Sequence, residues 1–203
     1  MPDGWWITVP EWMHRQATAE AARIERDRLA GGINWSREAR YKPMREGANV
    51  MGTVGELTFW EMVRRMGMAA ARVSADGKTG SDDGDIVLLS FGRPIAVDVK
   101  TQGSYRGSVN INVNQAKKEV EMYAFAVLEE REGAPYGVCG ILGTCSRVAL
   151  LEAIQRAGDP VRKEVPQGKP PGSYDYWSLR ADFLTEPKKA SPGLATRYNP
   201  IML

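Results

Sequence analysis

Four charged residues stand where an interior apolar residue is expected. Glu56 falls within the apolar stripe of a helical segment. Asp85 opens the run Ile86-Val87-Leu88-Leu89, and Asp98 and Lys100 stand two apart in Ile95-Ala96-Val97-Asp98-Val99-Lys100. Charged side chains rarely leave water without a partner. Three carboxylates and one lysine, gathered from a helix and two strands, are the groups that hold a divalent cation and a reactive water beside it.

The spacings define the elements that must position them. At 3.6 residues per turn, Gly52, Phe59, Trp60, Val63 and Gly67 share the side of the helix that carries Glu56. In the second strand, alternation sends Ile95, Val97 and Val99 one way and Ala96, Asp98 and Lys100 the other. Phe91-Gly92-Arg93-Pro94 reads as a turn between Ile86–Leu89 and Ile95–Val99. A hairpin there brings Asp85 towards the end of the strand that carries Lys100. An acid, any residue and a lysine is a weak pattern alone, since about one such triplet arises by chance in a chain of this size. Asp76-Gly77-Lys78, Asp98-Val99-Lys100 and Glu186-Pro187-Lys188 all match it, and only the middle one lies in a strand.

Together, Gly55-Glu56, Gly84-Asp85-Ile86 and Asp98-Val99-Lys100 resemble the PD-(D/E)XK nuclease superfamily, the restriction-endonuclease-like fold. Val109–Gln115 is similar to the next strand and helix start of that family, and Met122–Leu128 to a further core strand. The resemblance covers about residues 47–150, with Gly84 in place of the proline that names the motif. It implies an α/β fold, a central mixed β-sheet flanked by helices. It also implies Mg²⁺, with Mn²⁺ as a substitute, held by Asp85, Asp98, Glu56 and the Val99 carbonyl. Lys100 would position or deprotonate the attacking water, and Gln115 would orient Lys100 or contact the DNA backbone. Removing one acid of such a site is expected to relieve repulsion without unfolding the chain.

Other readings of the same residues stay open. Asp98 and Lys100 could form an ion pair on an edge strand, Asp85 could close a glycine loop, and Glu56 could pair with Arg45 or Arg72. Asp82 and Asp83 compete with Asp85 for metal, as in a different metal hydrolase. A protein that binds DNA or assembles on it, with the nuclease fold but no cleavage, is the alternative function.

The rest of the chain bounds these readings. A length of 203 residues, 43% hydrophobic and 26% charged, suits one globular domain with appendages. We read 1–46 as a helical and basic extension, 47–185 as the core and 186–203 as a tail. The net charge of +2 does not itself indicate nucleic acid. No apolar run approaches the roughly 20 residues of a membrane span, and the N-terminus does not resemble a signal peptide, so a cytoplasmic protein is expected. Cys139 and Cys145 are too few for a disulfide scaffold. His14 is the only histidine, which disfavours zinc sites and serine-protease triads. Arg37, Arg40, Lys42 and Arg45 form a basic segment suited to phosphates, and Tyr105 and Arg106 sit in a loop beyond the site. Trp5, Trp6 and Trp12 point to a packing patch or a homodimer contact. Helices are expected over 10–29, 48–66, 115–120 and 146–157, with strands near 70–74, 86–90, 95–101, 108–113, 122–129 and 137–143.

Overall fold

The computed structural model describes residues 4–30, 42–73, 84–90, 92–112, 116, 120–164 and 173–185. Along the chain lie β1 (Trp5–Thr8), α1 (Glu11–Ala30), α2 (Lys42–Arg65), β2 (Ala69–Arg72), β3 (Ile86–Ser90) and β4 (Arg93–Gln102). They are followed by β5 (Ser108–Asn112), β6 (Met122–Arg131), β7 (Ala134–Ser146), α3 (Arg147–Ala157), β8 (Val161–Glu164) and β9 (Ser173–Arg180). Six strands form one mixed sheet in the order β1-β7-β6-β4-β3-β2. Its neighbours are antiparallel except β4 and β6, which run parallel. A separate antiparallel sheet has the order β5-β9-β8.

The expected α/β class and central sheet are present, but the number of layers differs. β5 leaves the main sheet and pairs with β9, giving two sheets rather than one. A core lies on each side of the main sheet. The first packs Met13 and Ala17 of α1 and Val54, Leu57 and Met62 of α2 against Ile86, Leu88, Val97 and Val99. The second packs Tyr123, Phe125, Val127 and Leu142 against Val109, Ile111, Leu179 and Leu150. β6 serves both. Met122, Ala124 and Ala126 enter the first core, and the residues between them enter the second. A strand covered on both faces needs apolar residues at every position, which is why 122–127 reads as a continuous run.

The segment expected as an N-terminal extension is built into the fold. β1 pairs with β7 from Trp5↔Ile141 to Thr8↔Val138, and Met13 and Ala17 are fully buried. α2 begins at Lys42, earlier than the spacing of apolar residues suggests. Pro43 suits a first turn, where its missing N–H leaves no bond unmade. The expected short helix over 115–120 lies mostly outside the described residues. No helix among the described residues is long and apolar enough to cross a membrane.

Candidate functional site

Two glycines set the approach of α2 and β3 to β4. A side chain at Gly55 would collide with the Thr101 hydroxyl, so its absence lets α2 lie close on the first-core face of β4. Gly84 has a φ of +72°, and a Cβ there would come within 2.9 Å of the Val97 carbonyl oxygen. That backbone turn, open to glycine, delivers the next residue against β4. The Asp85 amide donates to the Val97 carbonyl at 2.8 Å, and the Asp85 Oδ2 accepts from the Val99 amide at 2.7 Å. The carboxylate therefore takes the place of a backbone acceptor at the fork where β3 meets β4.

Glu56 lies one residue beyond Gly55 on α2, with its side chain 22% exposed. Its Oε2 accepts from Arg72 Nη2 at 3.0 Å. Arg72, at the end of β2, also donates from Nη1 and Nη2 to the two oxygens of Glu20 on α1, at 2.9 and 2.8 Å. One guanidinium thus links α1, β2 and α2. Of the two partners foreseen for Glu56, Arg72 is present, and the Arg45 side chain lies outside those described. Burial, and then the charge of Asp85, push the Glu56 carboxyl up to about 7 despite the bond from Arg72. Glu20 is held below the usual carboxylate range by its bonds from Arg72.

Asp98 and Lys100 lie on the other side of β4. Val97 and Val99 enter the first core, while Ala96 packs against the second, so the pleat directs Asp98 and Lys100 to the second-core face. Asp98 is wholly buried, Lys100 is 13% exposed, and Lys100 Nζ meets Asp98 Oδ2 at 2.5 Å. Tyr123 is the register partner of Asp98 across the parallel β4–β6 ladder. Burial, and then the Asp98 charge, raise its phenol to about 12. The expected strand-borne ion pair is therefore present, on a central strand rather than an edge.

The four residues form two pairs and not one cluster. The Asp85 charge acts on Glu56, and Asp98 and Lys100 bind each other directly. Among the described residues no three His, Cys, Asp or Glu side chains converge as a metal group. Mg²⁺ needs only one or two carboxylates and keeps several waters. A largely buried carboxylate that burial and a second acid drive towards its neutral form suits such an ion. Glu56 and Asp85 therefore fit a divalent cation better than the closed Asp98–Lys100 pair.

The remaining candidates are scattered. Gln115, Arg37, Arg40, Asp82 and Asp83 lie outside the described residues. Lys42 and Arg45 fall in the first turns of α2, with their side chains outside those described. Tyr105 packs against the second core, and Arg106 is exposed. Gln102 pins their loop. Its Nε2 donates to the carbonyls of Ser104 and Ser108 at 2.7 and 3.0 Å, and its Oε1 accepts from the Asn110 amide at 3.1 Å. Cys139 and Cys145 are free and buried, with both thiols pushed to about 12 by burial. A groove of about 1010 Å³ is lined by His14, Met51, Gly103 and Tyr136, and also by Glu129, Glu130 and Glu132. That acidic lining is a poor match for a phosphate backbone. No protein-family profile and no curated protein matches the chain.

Proposed function

We propose that the protein is a divalent-metal-dependent nuclease that hydrolyses DNA phosphodiester bonds as an endonuclease. The observation that carries this reading is the Asp85 carboxylate, fixed by the Val99 amide at the β3–β4 fork within the electrostatic reach of Glu56. Asp85 and Glu56 would hold Mg²⁺ or Mn²⁺, which when bound lowers the pKa of a water and offsets charge on the scissile phosphate. The Val99 amide keeps Asp85 oriented. Arg72 donates to one oxygen of Glu56. Asp98 and Lys100 flank Val99 in sequence and form a buried ion pair. Paired with Asp98, Lys100 contributes orientation and charge rather than proton abstraction.

The test is nicking of supercoiled plasmid with Mg²⁺, run beside free nucleotides as rival substrates. Cleavage that disappears in Glu56→Gln and Asp85→Asn is the expected result. Nucleotide hydrolysis without nicking would instead favour another metal hydrolase. A second reading, a DNA-binding or assembly protein without cleavage, draws on one observation: Lys100 is closed onto Asp98 in a buried pair. DNA binding in Ca²⁺ with no nicking in Mg²⁺ or Mn²⁺ would select it.

A further inference from the structure

Glu20 and Glu56 compete for one guanidinium. Arg72 meets Glu20 with both terminal nitrogens, as a fork on a carboxylate, and spares only a second contact from Nη2 for Glu56. All three side chains are more than two-thirds buried, at 16% exposure for Arg72, 27% for Glu20 and 22% for Glu56. Water therefore screens this competition weakly. Glu20 comes from α1, more than thirty residues from Glu56 in sequence, and is not among the cation-holding residues suggested above.

We infer that Arg72 is a positioning residue that sets the divalent-cation affinity of the Glu56–Asp85 site, with Glu20 as the anchor that keeps Arg72 from closing on Glu56. The inference rests on the metal site of the proposed function and adds its control. A guanidinium shared with Glu20 orients Glu56 but leaves one of its oxygens to a cation. A guanidinium released from Glu20 can turn its whole fork onto Glu56, taking both oxygens in the bidentate geometry that arginine favours. The same residue thus supports the site or blocks it, according to a contact made on another helix.

Mn²⁺ binding to the purified full chain, followed by electron paramagnetic resonance without DNA, tests this directly. Glu20→Gln should weaken Mn²⁺ affinity by about fivefold, a size typical of coupling between neighbouring charged groups. Arg72→Met should tighten it by a similar factor, because the competing cation is gone. Arg72→Lys keeps a charge but has no fork to close on both Glu56 oxygens, so affinity should stay within about twofold of wild type. In the Glu20→Gln/Arg72→Met double variant, the Glu20 effect should shrink to less than about twofold. Circular dichroism and thermal melting confirm that each variant is folded, and Arg72→Lys keeps the test open if Arg72→Met is not. Opposite signs for Glu20→Gln and Arg72→Met are the signature that a merely structural strut would not produce. Equal Mn²⁺ affinity in all variants, or a full Glu20 effect without Arg72, overturns the inference. Absence of Mn²⁺ binding by the wild-type chain overturns it together with the metal site. The expected pattern without DNA cleavage leaves it standing and removes only the nuclease reading.

Discussion

On the first-core side of β4, Glu20 and Glu56 bind one guanidinium, Arg72, with Asp85 close enough to disfavour the charged form of Glu56. On the second-core side, one carboxylate, Asp98, meets one ammonium, Lys100. The residue types are the same, and the balance is not. In such a buried ion pair the attraction roughly offsets the cost of leaving water. Beside Asp85 the Glu56 carboxyl is raised, while Glu20, bonded by Arg72, is lowered. The spacing of Asp98-Val99-Lys100 does not separate these two arrangements.

The largest expected effect comes from breaking the balanced pair. Lys100→Met removes the ammonium from the wholly buried Asp98 and should cost about 3–5 kcal/mol of unfolding free energy in urea titrations. Asp98→Leu combined with Lys100→Met should recover most of that loss. The expectation from sequence, that stability holds or rises when a site acid is removed, rests on relief of repulsion, and the electrostatics show such repulsion at Glu56. A double variant as unstable as the single one would break the comparison.

Glu56→Gln tests the other side. Its folded carboxyl titrates near 7, above the ordinary value of 4.5, so ionising it costs stability as pH rises between those values. Below about 4.5 it contributes no such penalty. In chelator at pH 8 the glutamine variant should therefore be more stable than wild type by about 2 kcal/mol, and the gain should fade by pH 4.5. Glu20 has the opposite sign. Its carboxyl is lowered, so its contribution is present at neutral pH and is lost as pH falls below the usual carboxylate range.

A smaller effect follows from adding the ion. Mg²⁺ at ten times its dissociation constant should stabilise the wild-type chain by about 1.4 kcal/mol, and less at pH 5.5 than at pH 8 because protons compete for Glu56. In scanning calorimetry that is a rise of about 3–6 °C in Tm at pH 8. Glu56→Gln should lose most of that rise and Asp98 should not matter to it beyond its folding cost. Equal rises at both pH values would return Glu56 to a structural role.

The smallest effect concerns DNA. Replacing Arg37, Arg40, Lys42 and Arg45 by alanine should flatten the log affinity against log salt line by up to about 0.9 for each phosphate those side chains neutralise. An unchanged slope in filter-binding titrations would reduce that segment to a connector.

Much of the main sheet was legible because period and punctuation agreed. Ile95–Lys100 alternates, Gly92 turns with a φ of +75°, and Ser146 caps α3 by accepting from the Ala149 amide. The pairing of Asp85 with β4 was also legible, through Gly84 before it and the hairpin after it. What stayed hidden was long-range. Nothing within Ser108–Asn112 announces that β5 joins β9 rather than β4, since both sheets ask the same alternation of a strand. Trp5–Thr8 is too short a run to distinguish from a packing patch. The Glu20–Arg72 fork spans 52 positions, and its glutamate sits among many acids and arginines on α1 that pair along the helix, as Glu11 does with Arg15. Tyr123 next to Asp98 followed only once the parallel register of β4 and β6 was known.

The pairing of β1 with β7 has a consequence for how the chain acquires its structure. Trp5 lies opposite Ile141, and the Trp6 ring occupies the space a side chain would take at Gly140. The first strand made must wait for nearly three-quarters of the chain before its neighbour exists, and closing so large a loop is entropically slow to initiate. During that wait two tryptophans and an unpaired strand edge remain open to other chains. Refolding of a variant with Trp12, Trp35, Trp60 and Trp177 replaced by Phe, watched by the fluorescence of Trp5 and Trp6, should therefore report a late phase, and that phase should be the one most sensitive to protein concentration.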